Sequence, residues 1–334
     1  MVSAVIFVAT SCVSPLTGFA FWETNLAYEG ESIYNYLQVK NLSDRTILST
    51  NVLFGVQSVT MKDKGLTGMY YDTALAAPAL ADNANSALIL GMGTGTYARQ
   101  LKQYYPKMNI TGVEIDQKIT DLAGEYFDEP ADIPVTTYDG RAWLAASHDK
   151  YDLIMVDAYQ DITIPFQMSS TEFFTMVREH LNPGGVMVVN MNMISDGQGS
   201  INEALSDTIA SVFGNGNTLT ADVPNTTNRE LFAKKPGSGS EENSMQQASK
   251  ALNLRETTYE RTGSEDLEWY MEEVASRFRK VNEPDSASTI LTDDKAPVEV
   301  LGMHAIDQII ADEAGPYRQI LKDEGFGGLL RAVQ

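Results

Sequence analysis

Cysteine and histidine are nearly absent from the sequence, and their scarcity excludes several kinds of site. Among 334 residues the single cysteine is Cys12, so neither an intrachain disulfide nor a metal centre built on cysteine can form. The histidines His148, His180 and His304 are scattered and show no ligand spacing. We therefore expect no metal cofactor.

Positive charge is also scarce. The chain has 24 Lys and Arg residues against 45 Asp and Glu residues, a formal net charge of −21. Such a surface repels nucleic acid phosphates and anionic lipid, and it attracts cations. We therefore expect no nucleic acid partner. Solubility alone would explain the negative charge. A more specific interpretation is that the protein binds a polycationic substrate, which requires a matching site.

Charged side chains are missing altogether from residues 1–22. The length is about that of a helix crossing a bilayer core, but a secretory signal would need a basic start, which this segment lacks. A buried first helix is one interpretation, because Ser, Thr, Pro15 and Gly18 dilute the apolar character. We prefer the other interpretation, in which residues 2–22 are a membrane span or the remnant of one.

Short strands are predicted after this segment. Residues 34–40, 45–50 and 52–60 are rich in β-branched and aromatic residues and are separated by turn residues, a pattern typical of strands. They predict a small antiparallel β meander within residues 23–65.

From residue 66 onward, strand and helix patterns alternate. Alternation of this kind predicts an α/β fold with a doubly wound, Rossmann-like (methyltransferase-type), mostly parallel sheet and right-handed crossovers. We place this domain at 66–234, followed by a linker and helical extension over 235–334 with helices near 265–280 and 303–323. The predicted strands are 87–91, 109–116, 133–139, 151–157 and 185–192, and the predicted helices lie around 97–105, 117–127, 141–147 and 170–181.

Ligands of such sheets bind outside the carboxyl ends of the strands, and these ends carry suitable side chains. Gly91, Gly93 and Gly95 follow the first strand and allow a tight turn close to a ligand. Glu114 ends the next strand, where it can accept hydrogen bonds from ribose hydroxyls, and Asp139 ends the third, where it can accept from an adenine amine. Each acid could instead cap the helix after it, but their order at successive strand ends favours a nucleoside site.

A mononucleoside fits this pattern better than a dinucleotide. The glycines run G-x-G-x-G without the third glycine of the dinucleotide fingerprint, and no basic residue nearby could bind a pyrophosphate. S-adenosylmethionine or a relative has ribose and adenine but no phosphate. Asp157 ends the apolar run at 151–157, and Asp161 follows four positions later. Carboxylates in these positions indicate a cationic or proton-bearing ligand.

The order of motifs resembles the polyamine aminopropyltransferases, the spermidine synthase family, over about residues 31–234. The matching stretches are ESIYNYLQV, GVQS, TGMYYD, the Gly-rich turn, VEID, YDGR, the strand to Asp157 and LNPGGVMVVN. The uncharged N-terminus and LTDDKAPVE at 291–299 resemble a bacterial subgroup in which the domain follows a membrane region.

This resemblance implies a donor, an acceptor and a role for each site residue. Decarboxylated S-adenosylmethionine would donate an aminopropyl group to a di- or polyamine such as putrescine, without a metal. Asp157 would deprotonate the attacking amine, and Asp161 would position the cation. A homodimer is one option for assembly. The donor site would comprise Asn35, Gly91, Gly93, Thr94, Gly95, Glu114 and Asp139, and the acceptor site would comprise Tyr70, Asp72, Asp157 and Asp161.

Several departures from the family pattern keep two alternatives open. Thr94 stands where the family has an aspartate for the donor amine, the two acids Asp157 and Asp161 are four rather than three apart, and 223–232 offers no partner for a late tyrosine. Without the aspartate, intact S-adenosylmethionine could be accepted, which makes a small-molecule methyltransferase one alternative. A non-catalytic polyamine- or nucleoside-binding domain is the other. Since a sulfonium donor is made in the cytosol, we expect the chain from residue 23 onward to be cytoplasmic, anchored at the cell membrane if residues 2–22 span it.

Overall fold

Two β-sheets organise the chain in this computed structural model. It describes residues 23–51, 55–128, 130, 132–158, 164–191, 199–214, 216–237, 244–304 and 322. The first sheet is a four-stranded antiparallel meander in the order β1-β2-β3-β4. Its strands are β1 (Leu26–Glu31), β2 (Tyr36–Asn41), β3 (Arg45–Thr50) and β4 (Ser58–Met61).

The meander was predicted from the sequence, with two differences in its strands. β1 was not predicted, because its residues LAYEGE lack the alternation typical of a strand. The strand predicted at 52–60 begins only at Ser58, and residues 52–54 lie outside the described ranges.

The second sheet has eight strands in the order β12-β10-β11-β9-β8-β5-β6-β7. The pairs β5–β6, β6–β7, β5–β8 and β8–β9 are parallel, and the pairs that involve β10, β11 or β12 are antiparallel. This confirms the predicted α/β fold with a mostly parallel sheet. The strands are β5 (Ser86–Leu90), β6 (Asn109–Glu114), β7 (Val135–Thr137), β8 (Tyr151–Val156), β9 (Leu181–Met191), β10 (Thr218–Asp222), β11 (Arg229–Lys234) and β12 (Phe278–Lys280).

The strand order reverses at β5. The chain runs outward through β6 and β7 on one side, then returns to place β8 and β9 on the other side of β5. A crevice at the carboxyl ends of the strands is expected at such a switch point. Glu114 of β6 and Asp157 after β8 are therefore brought to either side of the Gly-rich turn after β5.

Helices cover both faces of the large sheet. Side-chain caps begin several of them: Asp116 accepts from the backbone N–H of Lys118, and Ser170 accepts from that of Phe173. The helices are α1 (Tyr70–Ala74), α2 (Ala76–Leu80), α3 (Thr96–Tyr104), α4 (Gln117–Tyr126), α5 (Gly140–Ala146), α6 (Thr171–His180), α7 (Ile201–Phe213), α8 (Ser244–Ala248), α9 (Ala251–Thr262) and α10 (Glu265–Arg277).

The helices α9 and α10 share the core of the large sheet. Leu254 of α9 and Met271 of α10 are fully buried, in the same apolar cluster as Phe232 of β11. The helix predicted at 265–280 ends at Arg277, because residues 278–280 turn into β12 and pair with β10. Most of the helix predicted at 303–323 falls on residues 305–321, outside the described ranges.

The membrane span predicted at residues 2–22 also falls outside the described ranges. None of the helices within those ranges is long and apolar enough to cross a bilayer.

The N-terminal meander packs over one end of the site. Leu37, Val39 and Leu48 of the meander form an apolar cluster with Ile119 and Leu122 of α4. This contact holds the meander against the helix that follows β6, and so above the carboxyl ends of the strands.

Candidate active site

A cavity of about 460 Å³ opens at the carboxyl ends of β5, β6, β8 and β9. The meander supplies one wall, and the strand ends supply the other. Most of the predicted site residues meet here: Asn35, Tyr70, Gly91, Gly93, Glu114, Asp139 and Asp157 all line the cavity.

The Gly-rich turn lies at the bottom of this cavity. Gly91 has a φ of +88°, and a Cβ atom built on it would lie 2.3 Å from the backbone oxygen of Asp157. No side chain fits between these two strand ends, so the glycine is required by close approach as well as by its backbone angle. Thr94 is fully buried, with no hydrogen-bond partner for its hydroxyl within the described part of the chain. Neither Thr94 nor Gly95 is among the residues that line the cavity.

Glu114 ties the end of β6 to the Gly-rich turn. Its Oε2 accepts from the backbone N–H of Gly93 at 2.8 Å, and its Oε1 accepts from that of Asp116 at 3.0 Å. Burial raises the pKa of Glu114, while these backbone donors oppose the shift. Each carboxylate oxygen can accept a second hydrogen bond, so the group is positioned for two adjacent hydroxyls.

Asp139 caps a helix and also lines the cavity. Its Oδ1 accepts from the backbone N–H of Ala142 at 2.7 Å and caps α5. Its side chain also lines the cavity, and Oδ2 takes no part in the cap. Capping therefore leaves one carboxylate oxygen for an amine on the ligand.

Asp157 is held at the end of β8 by two side-chain donors. The hydroxyl of Tyr70 donates to Oδ2 at 2.6 Å, and the amide of Asn190 donates to Oδ1 at 2.9 Å. Burial raises the pKa of Asp157 to about 6, although both hydrogen bonds favour the ionised form. The result is an oriented carboxylate that is ionised at neutral pH and more basic than an exposed aspartate.

Tyr70 belongs to a short chain of hydroxyl groups. Its oxygen lies 2.6 Å from that of Tyr71, whose hydroxyl donates to the backbone oxygen of Gln57 at 2.7 Å. Burial, followed by the charge of Asp157, raises the pKa of both tyrosines. Both are therefore neutral at physiological pH, and Tyr70 has a proton to donate to Asp157.

Two asparagines complete the support of Asp157. Asn190 accepts through Oδ1 from the amide of Asn228 at 2.9 Å, which orients its own amide toward the carboxylate. Sequence reasoning missed both residues. Asn190 had a usable signal, because it lies near the end of a predicted strand as Glu114 and Asp157 do; Asn228, in the turn before β11, had none.

Asp116 fixes the loop between β1 and β2 of the meander next to the end of β6. Its Oδ2 accepts from the hydroxyl of Ser32 at 2.5 Å and from the amide of Asn35 at 3.0 Å. Asn35 also accepts through Oδ1 from the amide of Asn51 at 2.9 Å. Asn35 thus lines the cavity as predicted, with its side chain engaged by protein partners.

One residue that the resemblance assigns to the acceptor site, Asp72, does not line the cavity. Asp72 is 1% exposed, and its carboxylate accepts from the backbone N–H groups of Thr67 and Gly68 at 2.9 and 2.6 Å. Asp72 therefore closes a loop before α1 and does not line the cavity. Asp161 lies outside the described residues.

Potential metal ligands lie apart from one another in the described ranges. Among the residues described, His, Cys, Asp and Glu side chains form no cluster of three or more that could hold a metal ion.

A cavity at the switch point, with acids at or just after the ends of β6, β7 and β8, is typical of a Rossmann-like fold of the methyltransferase type. Two solved structures share this fold. One is a probable spermidine synthase from Corynebacterium glutamicum ATCC 13032, with a TM-score of 0.55 and 20% identity over 79% of this chain and 98% of that one. The other is a spermidine synthase in complex with the transition state analogue AdoDATO, with a TM-score of 0.52 and 19% identity over 64% of this chain and 75% of that one.

Sequence comparison identifies the family. The family model described as "Spermine/spermidine synthase domain" matches residues 69–235. A relative from Bifidobacterium longum (strain NCC 2705), named "Probable polyamine aminopropyl transferase", is 99% identical over all 334 residues, which cover 75% of its length. A polyamine aminopropyltransferase from Vibrio vulnificus (strain CMCP6) is 28% identical over 60% of this chain and 69% of its own. The chain belongs to the spermine/spermidine synthase family.

A second carboxyl group lies in the core behind the site. Glu230 of β11 pairs in register with Asn190 of β9 and is fully buried. Neither carboxyl oxygen has a hydrogen-bond partner within the described ranges. Burial, and then the charge of Asp157, raises the pKa of Glu230 well above its usual range. Glu230 is therefore neutral in the folded protein.

This neutral carboxyl makes stability depend on pH. Because folding raises the pKa of Glu230, the stability associated with its protonated form is complete below the unfolded pKa of about 4.3 and is lost as the pH rises above it. Glutamine does not titrate, so the free energy of unfolding of Glu230→Gln should increase relative to that of the wild type as the pH rises. The difference should grow by about 1.4 kcal/mol for each of the first pH units above about 4.3. Urea unfolding at several pH values between 5 and 8 measures this difference.

The matched control is Glu256→Gln, at an exposed position on α9. It makes the same substitution on the surface of the protein. A Glu230→Gln difference that changes with pH no more than the Glu256→Gln difference would show that Glu230 is ionised in the folded state.

Proposed function

We propose that this chain is an aminopropyltransferase that moves the aminopropyl group of decarboxylated S-adenosylmethionine to a di- or polyamine. The observation that carries the proposal is the position of Asp157, oriented by Tyr70 and Asn190 and facing a cavity that Glu114 and Asp139 also line. In this arrangement Glu114 binds the ribose and Asp139 the adenine. The sulfonium side chain then extends toward Asp157.

The reaction is a displacement at the carbon next to the sulfonium. The neutral amine of the acceptor forms the new C–N bond while the C–S bond breaks, and the electron pair of that bond stays on sulfur. The donor becomes the neutral thioether 5′-methylthioadenosine. The acceptor, which arrives as an ammonium, first gives one proton to Asp157, and the product leaves as a protonated secondary amine, so charge and atoms balance without a metal. The chain must supply alignment of the amine and a carboxylate that accepts its proton.

The pKa of Asp157 suits this role. Free alkyl amines have pKa values near 10 and arrive protonated, so an ionised carboxylate first attracts the cation. A pKa of about 6 leaves Asp157 ionised at neutral pH while making it a stronger base than an exposed aspartate. The acidic chain, with a formal charge of −21, favours the approach of such cations.

The identity of the donor is the finer question. Thr94 brings no negative charge to the position where the resemblance puts an acid, and its hydroxyl is buried. The carboxylate of intact S-adenosylmethionine is therefore not repelled by this residue, which keeps methyl transfer as a second candidate. Mass spectrometry of products, after incubation with each donor and a panel of amines, separates the two. Addition of an aminopropyl group supports the proposal, whereas addition of a methyl group or no product contradicts it.

Donor binding should depend on Glu114. A hydrogen bond to a charged group contributes roughly 1.5–3 kcal/mol, so Glu114→Ala should weaken binding of 5′-methylthioadenosine at least about tenfold. Isothermal calorimetry measures the affinity, and Glu125→Ala, an exposed acid on α4, serves as the control. Equal affinity in both variants would remove Glu114 from the nucleoside site.

Turnover should depend on Asp157. General base catalysis is typically worth about 10²–10⁴ in rate, so Asp157→Asn should lower kcat by that order while leaving donor affinity nearly intact. Steady-state kinetics with saturating donor measures the loss. A stable Asp157→Asn variant with full turnover would exclude the mechanism.

The pH profile of the wild type tests the same group. Because the base acts in its ionised form, activity should fall as the pH drops through about 6. Tyr70→Phe removes a hydrogen bond that favours the ionised form, so its acid limb should move to higher pH. Titration of the amine substrate is common to both enzymes and cancels in the comparison. If the acid limb of the Tyr70→Phe profile lies at the same pH as that of the wild type, the limb reports a group other than Asp157.

Location remains a related proposal. The donor is made in the cytosol, so the domain from residue 23 onward should be cytoplasmic, and residues 2–22 would anchor it to the membrane. Protease added outside intact cells should leave the domain whole, and cleavage there would contradict this location.

A further inference from the structure

The segment 291–298 packs on helices beside the cavity, although none of its residues lines the cavity itself. Leu291 and Val298 at its two ends are fully buried, in the apolar cluster that includes Phe173 and Phe174 of α6. The backbone N–H of Thr171 donates to the oxygen of Leu291 at 2.9 Å, and the backbone N–H of Leu291 donates to the hydroxyl of Thr208 at 2.9 Å. The segment is thus anchored on α6 and α7 independently of its charged residues.

Asp293 lies between these anchors and binds Arg141 through both carboxylate oxygens. Arg141 donates through Nη1 to Oδ1 at 2.8 Å and through Nη2 to Oδ2 at 2.5 Å. The hydroxyl of Ser170 also donates to Oδ1 at 2.5 Å. The Arg141 guanidinium and then Ser170 hold the pKa of Asp293 at about 2. The carboxylate is therefore ionised throughout the physiological pH range.

Arg141 connects this ion pair to the cavity. Its Nη1 also donates to the backbone oxygen of Gln167 at 2.7 Å, and Gln167 lines the cavity together with Pro165 and Met168. Arg141 itself lies in the first turn of α5. It directly follows Asp139 and Gly140, which also line the cavity. One guanidinium thus joins the start of α5, the 3₁₀ turn at Phe166–Met168 and the C-terminal segment.

We propose that Asp293 is a positioning residue for the nucleoside end of the cavity. It orients the Arg141 guanidinium, which in turn holds the Asp139 end of α5 against the wall formed by residues 165–168. Asp293 lies outside residues 69–235, which match the family, so a segment beyond the matched domain supports residues that line the cavity. The assignment of a nucleoside to this end rests on the proposed function.

Local order, rather than overall stability, is what the ion pair should control. The Asp293 side chain is 39% exposed and that of Arg141 is 22% exposed, and exposed ion pairs add little to the free energy of unfolding. The buried Leu291 and Val298 keep the segment attached without Asp293. A ligand that meets a disordered wall must order it on binding, so loss of Asp293 should weaken donor binding and leave the chemistry at Asp157 nearly unchanged.

The experiment compares Asp293→Asn with Asp294→Asn, which makes the same charge change at the neighbouring exposed position. Hydrogen–deuterium exchange of the peptides covering residues 164–170 is measured without ligand. Calorimetry with 5′-methylthioadenosine and steady-state kinetics follow. For Asp293→Asn we expect faster exchange in these peptides and little change in Tm. The affinity for the thioether should fall about tenfold and the KM for the donor should rise by the same factor, whereas kcat should stay within about twofold of the wild-type value. Asp294→Asn should match the wild type in every measurement.

A second variant tests the geometry of the pair. Arg141→Lys keeps the positive charge but cannot make the two-pronged contact of a guanidinium, so it should reproduce the effects of Asp293→Asn. Combining the two changes should add little, because both break one interaction. Full additivity would show that the two residues act separately and would overturn the proposal.

Failure of this inference and of the proposed function are distinguishable. If Asp293→Asn leaves exchange and thioether affinity unchanged while Glu114→Ala loses affinity, the positioning role is wrong and the function stands. If the wild type does not bind the thioether, the proposed function fails, and exchange at residues 164–170 still decides whether Asp293 orders the wall. A large fall in Tm for Asp293→Asn would make its role structural and would also overturn the proposal.

Discussion

The site depends on one partly desolvated carboxylate. Removal from water raises the pKa of Asp157 to about 6, and the donors on Tyr70 and Asn190 keep it ionised and fixed in direction. These two donors come from α1 and β9, which precede and follow β8 in the sequence. The carboxylate can therefore be held only when the sheet, its covering helices and the Gly-rich turn have assembled around it.

The sequence predicts the residues whose signal is local. An acid that ends an apolar run is visible without a structure, and Glu114, Asp139 and Asp157 were found in this way; all three line the cavity. Helix boundaries at α3, α4, α5 and α6 were also predicted to within one residue, because caps such as Ser170 are local. Asn190 had such a local signal and was overlooked, whereas its pairing with Glu230 depends on strand order, because the two are adjacent only where β9 pairs with β11.

Proximity in sequence can also mislead. Asp72 follows Tyr70 by two positions, and Tyr70 does bind Asp157, yet the Asp72 carboxylate turns back to the N–H groups of Thr67 and Gly68. In a short helix, side chains two positions apart point to different faces. The edge strands β1 and β12 escaped prediction for a related reason, since each is defined by its partner strand more than by its own residues.

The two carboxyl groups near the site divide charge between them. Asp157 has two donors and is ionised, whereas Glu230 has no partner in the described structure and is neutral. A second negative charge in this core would have no compensating partner among the described residues. The different surroundings of the two groups therefore make Asp157 the base and Glu230 the neutral acid. In the proposed reaction the proton taken by Asp157 has no hydrogen-bonded path to Glu230 among the described contacts. Glu230 therefore does not relay that proton.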